Sequence, residues 1–156
     1  MTHSADSVSL GRDFEMANAL TLGQRNNNPV NIKQFSNSDP WQGSSGYYGD
    51  KFVRFQTPEL GWRAAYLNGI NHISSNPNQS INEYIRSFSN TSNEKELAAY
   101  VKFVSQRLGV SPKTKLRNIN DPYAFVDAQA ELETRMTIEP NTRQRLQALL
   151  SNKLYK

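Results

Sequence analysis

Five helix openings follow one another between residues 57 and 140, and they constrain the chain more than any other feature. Thr57-Pro58-Glu59 supplies an N-cap threonine, a proline in the first turn and an acid at the positive end of the helix. Leu60, Ala64, Leu67 and Asn71 follow at helical spacing, with Trp62, Ala65, Tyr66 and Ile70 widening that face. Ser80 to Glu83 reads as a capping box ahead of Ile81, Tyr84, Ile85 and Phe88. Thr91 to Glu94 reads as a second box, ahead of Leu97, Tyr100, Val101, Val104 and Leu108, and Gly109 closes that helix. Asp121-Pro122 opens a helix bearing Phe125, Val126, Ala128, Ala130 and Leu132, and Pro140 opens the last, with Leu146, Leu149 and Leu150. The expected fold is mostly α.

Upstream the pattern changes. Residues 1–10 are polar and are expected to form a flexible N-terminus. In "GRDFEMANALTLG", Phe14, Ala17 and Leu20 fit a short helix that ends at Gly23. From Gly23 to Gly49 the chain is rich in Asn, Ser, Gly and Pro and predicts one long loop, which in a compact domain is more often functional than idle. "KFVRF" at 51–55 alternates apolar and charged residues and predicts at most a short β element. With 156 residues there is one core to build, so residues 11–156 are expected to form a single domain.

Composition removes several chemistries. There is no cysteine, so disulfides, thiol nucleophiles and thiolate metal sites are excluded. His3 and His72 are too few for a histidine-rich metal centre, and no cofactor is expected. Apolar runs are too short for a membrane span. The N-terminus has acids where a signal peptide needs a basic start and an apolar block, so synthesis in the cytoplasm is expected, with action in a virion or the periplasm after delivery. Phosphate-loop, dinucleotide and zinc-protease motifs are missing, and no serine near His72 has a nucleophile-elbow context. The net charge of +4 suits an anionic partner such as nucleic acid, a membrane surface or an acidic wall polymer. The basic residues are scattered rather than gathered on one helix, which ranks nucleic acid last.

Carboxylates, amides and aromatic rings remain, and they suit a carbohydrate. Amides meet sugar hydroxyls and acetamido groups with paired donors and acceptors, and aromatic rings stack on the apolar faces of sugars. Residues 25–55 supply Asn26, Asn27, Asn28, Asn31, Trp41, Gln42, Tyr47, Tyr48 and Phe55. The plainer alternative is that the asparagines only make turns, since Asn tolerates left-handed backbone.

"RNNNPVNIK…WQG…F…F…PELGWRA" resembles a family of phage virion proteins, described as virion structural proteins or lysozyme-like peptidoglycan hydrolases. Those proteins have Arg-Asn-Asn-Asn-Pro-Gly-Asn-Ile, then Trp-x-Gly, then Phe-x-x-Phe and Pro-Glu-x-Gly-x-Arg-Ala. The likeness continues through Ala99-Tyr100, "LGVSP" at 108–112 and Asp121-Pro122, and so covers about residues 25 to 134. The first block is also distantly similar to β-N-acetylglucosaminidases of the lysozyme superfamily. One departure stands out: Val30 replaces the family glycine after proline. Valine suits neither positive φ nor close approach of a substrate, so either the backbone is extended there or the loop has changed.

The resemblance implies a lysozyme-like domain that cleaves the glycan backbone of peptidoglycan, as a lytic transglycosylase, muramidase or glucosaminidase. Such cleavage needs a carboxylic acid whose pKa is raised by partial burial. Aligning the Asp-Pro helix with the family puts Glu133 on the catalytic glutamate, in an order that would permute the usual lysozyme arrangement. Asn26, Asn27, Asn28 and Asn31 would then shape and line the sugar groove, with Trp41, Tyr47 and Tyr48 stacking on sugars. Glu15, a dozen residues before the Asn run, is the rival acid. Glu59 reads as a helix N-terminal acid, Glu131 lacks the following threonine, and Asp50 is a conceivable second carboxylate. The expected partners are peptidoglycan strands and other virion or delivery proteins, and a monomer is expected. The alternative is a virion structural or adaptor protein that keeps the fold without the activity.

Overall fold

The computed structural model describes residues 19–33, 40–48, 52–89 and 91–154. Six helices and one short two-stranded sheet occur among them. In chain order these are α1 (Leu22–Arg25), β1 (Ser44–Tyr48), β2 (Phe52–Phe55), α2 (Pro58–Ser75), α3 (Ile81–Phe88), α4 (Glu94–Leu108), a 3-10 turn (Leu116–Asn118), α5 (Pro122–Thr134) and α6 (Pro140–Leu154). Among the described residues, no helix is long and apolar enough to cross a membrane.

The helix openings read from the sequence are largely realised. Thr57 Oγ1 accepts from Leu60 N–H at the start of α2. Ser80 and Glu83 exchange side-chain-to-backbone bonds of 3.0 and 2.8 Å, a complete capping box on α3. Asp121 caps α5 ahead of Pro122, and Gly109 ends α4 in the left-handed region, at φ 68°. Three expectations are corrected. The cap of α4 is Asn93, which accepts from Glu96 N–H, while the Thr91 hydroxyl donates to the Glu96 carboxylate instead. Gly23 does not end a helix but sits inside α1, which Thr21 and Gln24 open with their own capping box; Leu20 lies outside it, exposed. The segment from Gly23 to Gly49 is not one loop, because it contains α1 and β1.

β1 and β2 pair antiparallel, Ser44 with Phe55, Tyr47 with Val53 and Tyr48 with Phe52. The register slips by one residue between Ser44 and Tyr47, where Gly46 adopts φ 117°. On the other side of β2 runs the Asn segment. Val53 N–H donates to Ile32 O at 2.9 Å and Phe55 N–H to Asn26 O at 2.8 Å. Residues 26–33 thus behave as an irregular third strand.

Two apolar clusters make the core. The first joins Val30, Ile32, Val53 and Phe55 to Trp62, Tyr66, Val126 and Leu146. The second joins Ile81, Ile85, Val101, Val104 and Leu116 to Phe125 and Ala128. Helix α5 feeds both, and a helix that packs on two sides has to be apolar around much of its girth. Tyr123, Val126 and Ala130 enter the first cluster, and Phe125 and Ala128 the second. Leu132, read from the sequence as part of its buried stripe, instead faces solvent. Polar cross-links fix the neighbours of α5: Tyr66 Oη donates to Asp127 at 2.6 Å, and Arg143 of α6 binds Asp127 at 2.7 Å and Asp121 at 3.2 Å.

The Asn segment meets α2 through Gly61. A Cβ there would run into the Asn27 carbonyl oxygen. Gly61→Ala is therefore expected to destabilise the fold by about 2 to 3 kcal/mol, the scale of an overpacked core. A chemical-denaturation midpoint unchanged from wild type would refute this contact.

Candidate active site

Glu133 lies in the last turn of α5, half-buried, because the helix that carries it is packed between both clusters. Tyr100, projecting from α4, donates its hydroxyl to Glu133 Oε2 at 2.5 Å. Gln129, one turn earlier on α5, donates to the same oxygen at 3.1 Å. Both bonds converge on Oε2, and among the described residues none reaches Oε1. A proton on this carboxyl therefore belongs on Oε1.

Burial pushes the Glu133 carboxyl above the usual carboxylate range, and the bonds from Tyr100 and Gln129 only partly pull it back. Burial and the neighbouring carboxylate push the Tyr100 phenol up, so it stays protonated and remains a donor. Glu131, two residues away, has the opposite fate. Arg107 grips it with two bonds of 2.5 and 2.7 Å and holds its carboxyl below the ordinary value. Two neighbouring carboxylates with separated pKa values are the arrangement from which an acid can be assigned. Of the two, Glu133 is the carboxyl that holds its proton to higher pH, and Glu131 is engaged in an ion pair.

Tyr100→Phe removes the hydroxyl that favours the ionised form. The Glu133 pKa should rise further, because desolvation then acts with one bond fewer against it. In any reaction that uses Glu133 as an acid, the alkaline limb of the pH profile should move to higher pH. A profile identical to wild type would remove Tyr100 from the site.

The end of α5 is bolted to the Asn segment. Thr134 Oγ1 lies 2.7 Å from Pro29 O and 2.9 Å from Ala130 O, two acceptors that share its single proton. Thr21 Oγ1 returns a bond to Thr134 O at 2.9 Å, and Gln24 Nε2 reaches Arg135 O at 3.4 Å. Gly23 packs against the Thr134 side chain with no room for a Cβ. The segment "RNNNPVNIK" therefore abuts the residue that follows Glu133.

Its asparagines do different work from the lining role expected of them. Asn28 is fully buried: its Nδ2 donates to Ile32 O at 3.0 Å and Val53 O at 2.9 Å, and its Oδ1 accepts from Ile32 N–H at 2.8 Å. Asn26 is also fully buried and accepts from Arg54 Nε at 3.3 Å. Neither side chain can touch a ligand in this arrangement, so both are scaffold. Asn27 donates to Phe55 O at 2.9 Å and takes φ 51°, a left-handed turn position that asparagine tolerates. Asn31, at φ 53°, has a buried Oδ1 with no hydrogen-bond partner among the described residues.

Val30 is not in an extended stretch, which was one of the two courses expected of it. It sits in a turn with Pro29, its φ is not positive, and its side chain is buried in the first cluster. The left-handed positions of the segment are Asn27 and Asn31.

Trp41 is half-buried and packs against the first cluster, which limits the ring face free for stacking. Tyr47 and Tyr48 belong to β1 by their backbones, but their rings lie outside the described side chains. Glu15 and Asp50 lie outside the described residues altogether. Glu59 sits in the first turn of α2 and pairs with Arg145 at 2.8 Å, as suits a helix N-terminal acid. Sequence reading did not single out Gln129 or Tyr100 as partners of the acid. Gln129 could have been found, since i−4 is a facing position on a helix. Tyr100 could not, because nothing local links residues 33 positions apart. The chain matches no protein-family model and no curated protein sequence.

Proposed function

We propose that the chain cleaves the glycan backbone of peptidoglycan, with Glu133 as the general acid and then the base. The observation behind this reading is one carboxyl: half-buried, raised in pKa, anchored through Oε2 and, among the described residues, unbonded at Oε1. In the protonated state Oε1 would give its proton to the glycosidic oxygen as the bond to the sugar breaks. The carboxylate then takes a proton either from water or from a hydroxyl of the same sugar, which completes hydrolysis or forms an anhydro-sugar. A single-glutamate route needs no second carboxylate. Tyr100 and Gln129 hold the carboxyl in one orientation, and the positive net charge favours an anionic wall. Action in a virion or the periplasm belongs to the same proposal.

Incubation with purified peptidoglycan, followed by mass spectrometry of the soluble products, tests the reading directly. Release of muropeptides is the expected result, and the sugar end, reducing or anhydro, names the reaction. Retention on the wall without release would overturn catalysis and favour a structural or adaptor protein, a reading the buried Asn26 and Asn28 side chains also suit.

A further inference from the structure

Between α3 and α4 the chain forms a cavity of about 400 Å³, remote from Glu133. Ala98, Lys102 and Ser105 line it from α4 at spacings of four and three, which is one helical face. Tyr100 and Arg107, which hold Glu133 and Glu131, project from the opposite face of that helix. Asn82 enters from α3, and Val110 and Pro112 add apolar wall from the turn after α4. The volume falls in the range of small-ligand sites.

The unused hydrogen-bonding capacity of this cavity carries one positive charge and several donors, with the Gln106 amide on the wall able both to donate and to accept. Ser105 is 3% exposed, yet its hydroxyl has no hydrogen-bond partner, although a helical serine can bond the carbonyl four residues back. Asn82 Oδ1 is already occupied by Arg86 Nε at 2.8 Å, so what it has left is its amide N–H donors. Arg86 is itself committed to Glu94 through bonds of 2.7 and 2.8 Å and brings no free charge. Lys102 pairs with no acid among the described residues. A hydroxyl, the amides of Asn82 and Gln106 and an ammonium group are left to donate, beside walls fit for methyl-sized groups.

We propose that this cavity binds the terminal carboxylate of a short peptide of small aliphatic residues, with the carboxylate toward Lys102, Ser105 and Asn82 and the methyl groups against Ala98, Val110 and Pro112. Such an end can come from a protein C-terminus or from a wall peptide, and the two differ in chirality. The site does not depend on the role of Glu133.

The test is an amide-resolved NMR titration of the whole chain with acetyl-alanyl-alanine, in all-L and all-D forms, and with the matching carboxamides. Saturable shifts confined to α3, α4 and residues 109–112 are expected. The carboxamides should bind roughly tenfold more weakly, the scale of one lost charge-assisted bond. Lys102→Gln and Ser105→Ala should each weaken the acid severalfold while leaving wall digestion and the Glu133→Gln phenotype unchanged. A preference for the D form assigns the site to wall peptides, and a preference for the L form to a protein C-terminus. No saturation by about 10 mM, where affinity falls below a useful few kcal/mol, would overturn the proposal. So would equal affinity for acid and carboxamide, or Lys102→Gln and Ser105→Ala variants that fold and bind like wild type.

Discussion

Glu133→Gln should lower the rate of muropeptide release by about 10²- to 10⁴-fold, the range general acid catalysis supplies. Glutamine keeps the shape and can still accept from Tyr100, so the fold should survive. The same variant should also gain stability relative to wild type as pH rises. The folded Glu133 carboxyl holds its proton above the ordinary value of 4.5. Below that pH both states are protonated and no penalty exists. As pH rises past it, the unfolded chain releases the proton first and stability falls, until the folded carboxyl also ionises. A neutral glutamine has no such slope. The difference in Tm between Glu133→Gln and wild type should therefore be small in acid and grow toward neutral pH. A variant that digests peptidoglycan at the wild-type rate would dismiss Glu133 as the acid. A Tm difference flat in pH would dismiss the raised pKa, independently of any activity.

Asn28→Ala should cost about 3 to 5 kcal/mol. Three hydrogen bonds end on that one side chain. Its removal leaves the Ile32 N–H and the Ile32 and Val53 carbonyls buried without that partner, and each orphaned group costs about 1 to 3 kcal/mol before relaxation. For a domain whose whole stability is about 5 to 15 kcal/mol, the loss approaches unfolding. Asn28→Asp should fare no better, because two of the three bonds need the NH₂ donor that a carboxylate lacks. Urea titration followed by circular dichroism gives the number. A cost under about 1 kcal/mol would mean that the segment holds its place by packing rather than through this side chain.

Helices were legible where their ends are chemical. Thr57, Ser80, Asp121 and Gly109 act through bonds to residues within one turn, so a local reading of the sequence finds them. Thr91 misled for the same reason: two side chains competed for one helix start, and Asn93 won. β2 was visible in "KFVRF", with Val53 and Phe55 buried as alternation requires. β1 was hidden, because "SSGYY" pairs only through a slipped register against a strand that had first to be in place.

The candidate acid could be named from Asp121-Pro122, the buried stripe and the likeness to a phage family, all of which run along one stretch of chain. Its environment could not. The bond from Tyr100, the grip of Arg107 on Glu131, and the tie from Thr134 to Pro29 join residues 33, 24 and 105 positions apart. The amide-rich run could be recognised as purposeful, but its purpose depended on burial. Asn28 turned inward onto the backbone of Ile32 and Val53, and Asn26 toward the side chain of Arg54.

By itself, then, the sequence determined a mostly helical chain, its caps, and a short list of carboxylates, because those follow from neighbours within a turn or two. Tertiary structure alone decided which carboxylate keeps a proton and which asparagines are scaffold. Desolvation and long-range hydrogen bonds are properties of packed surfaces, and no stretch of chain contains them until the helices have met.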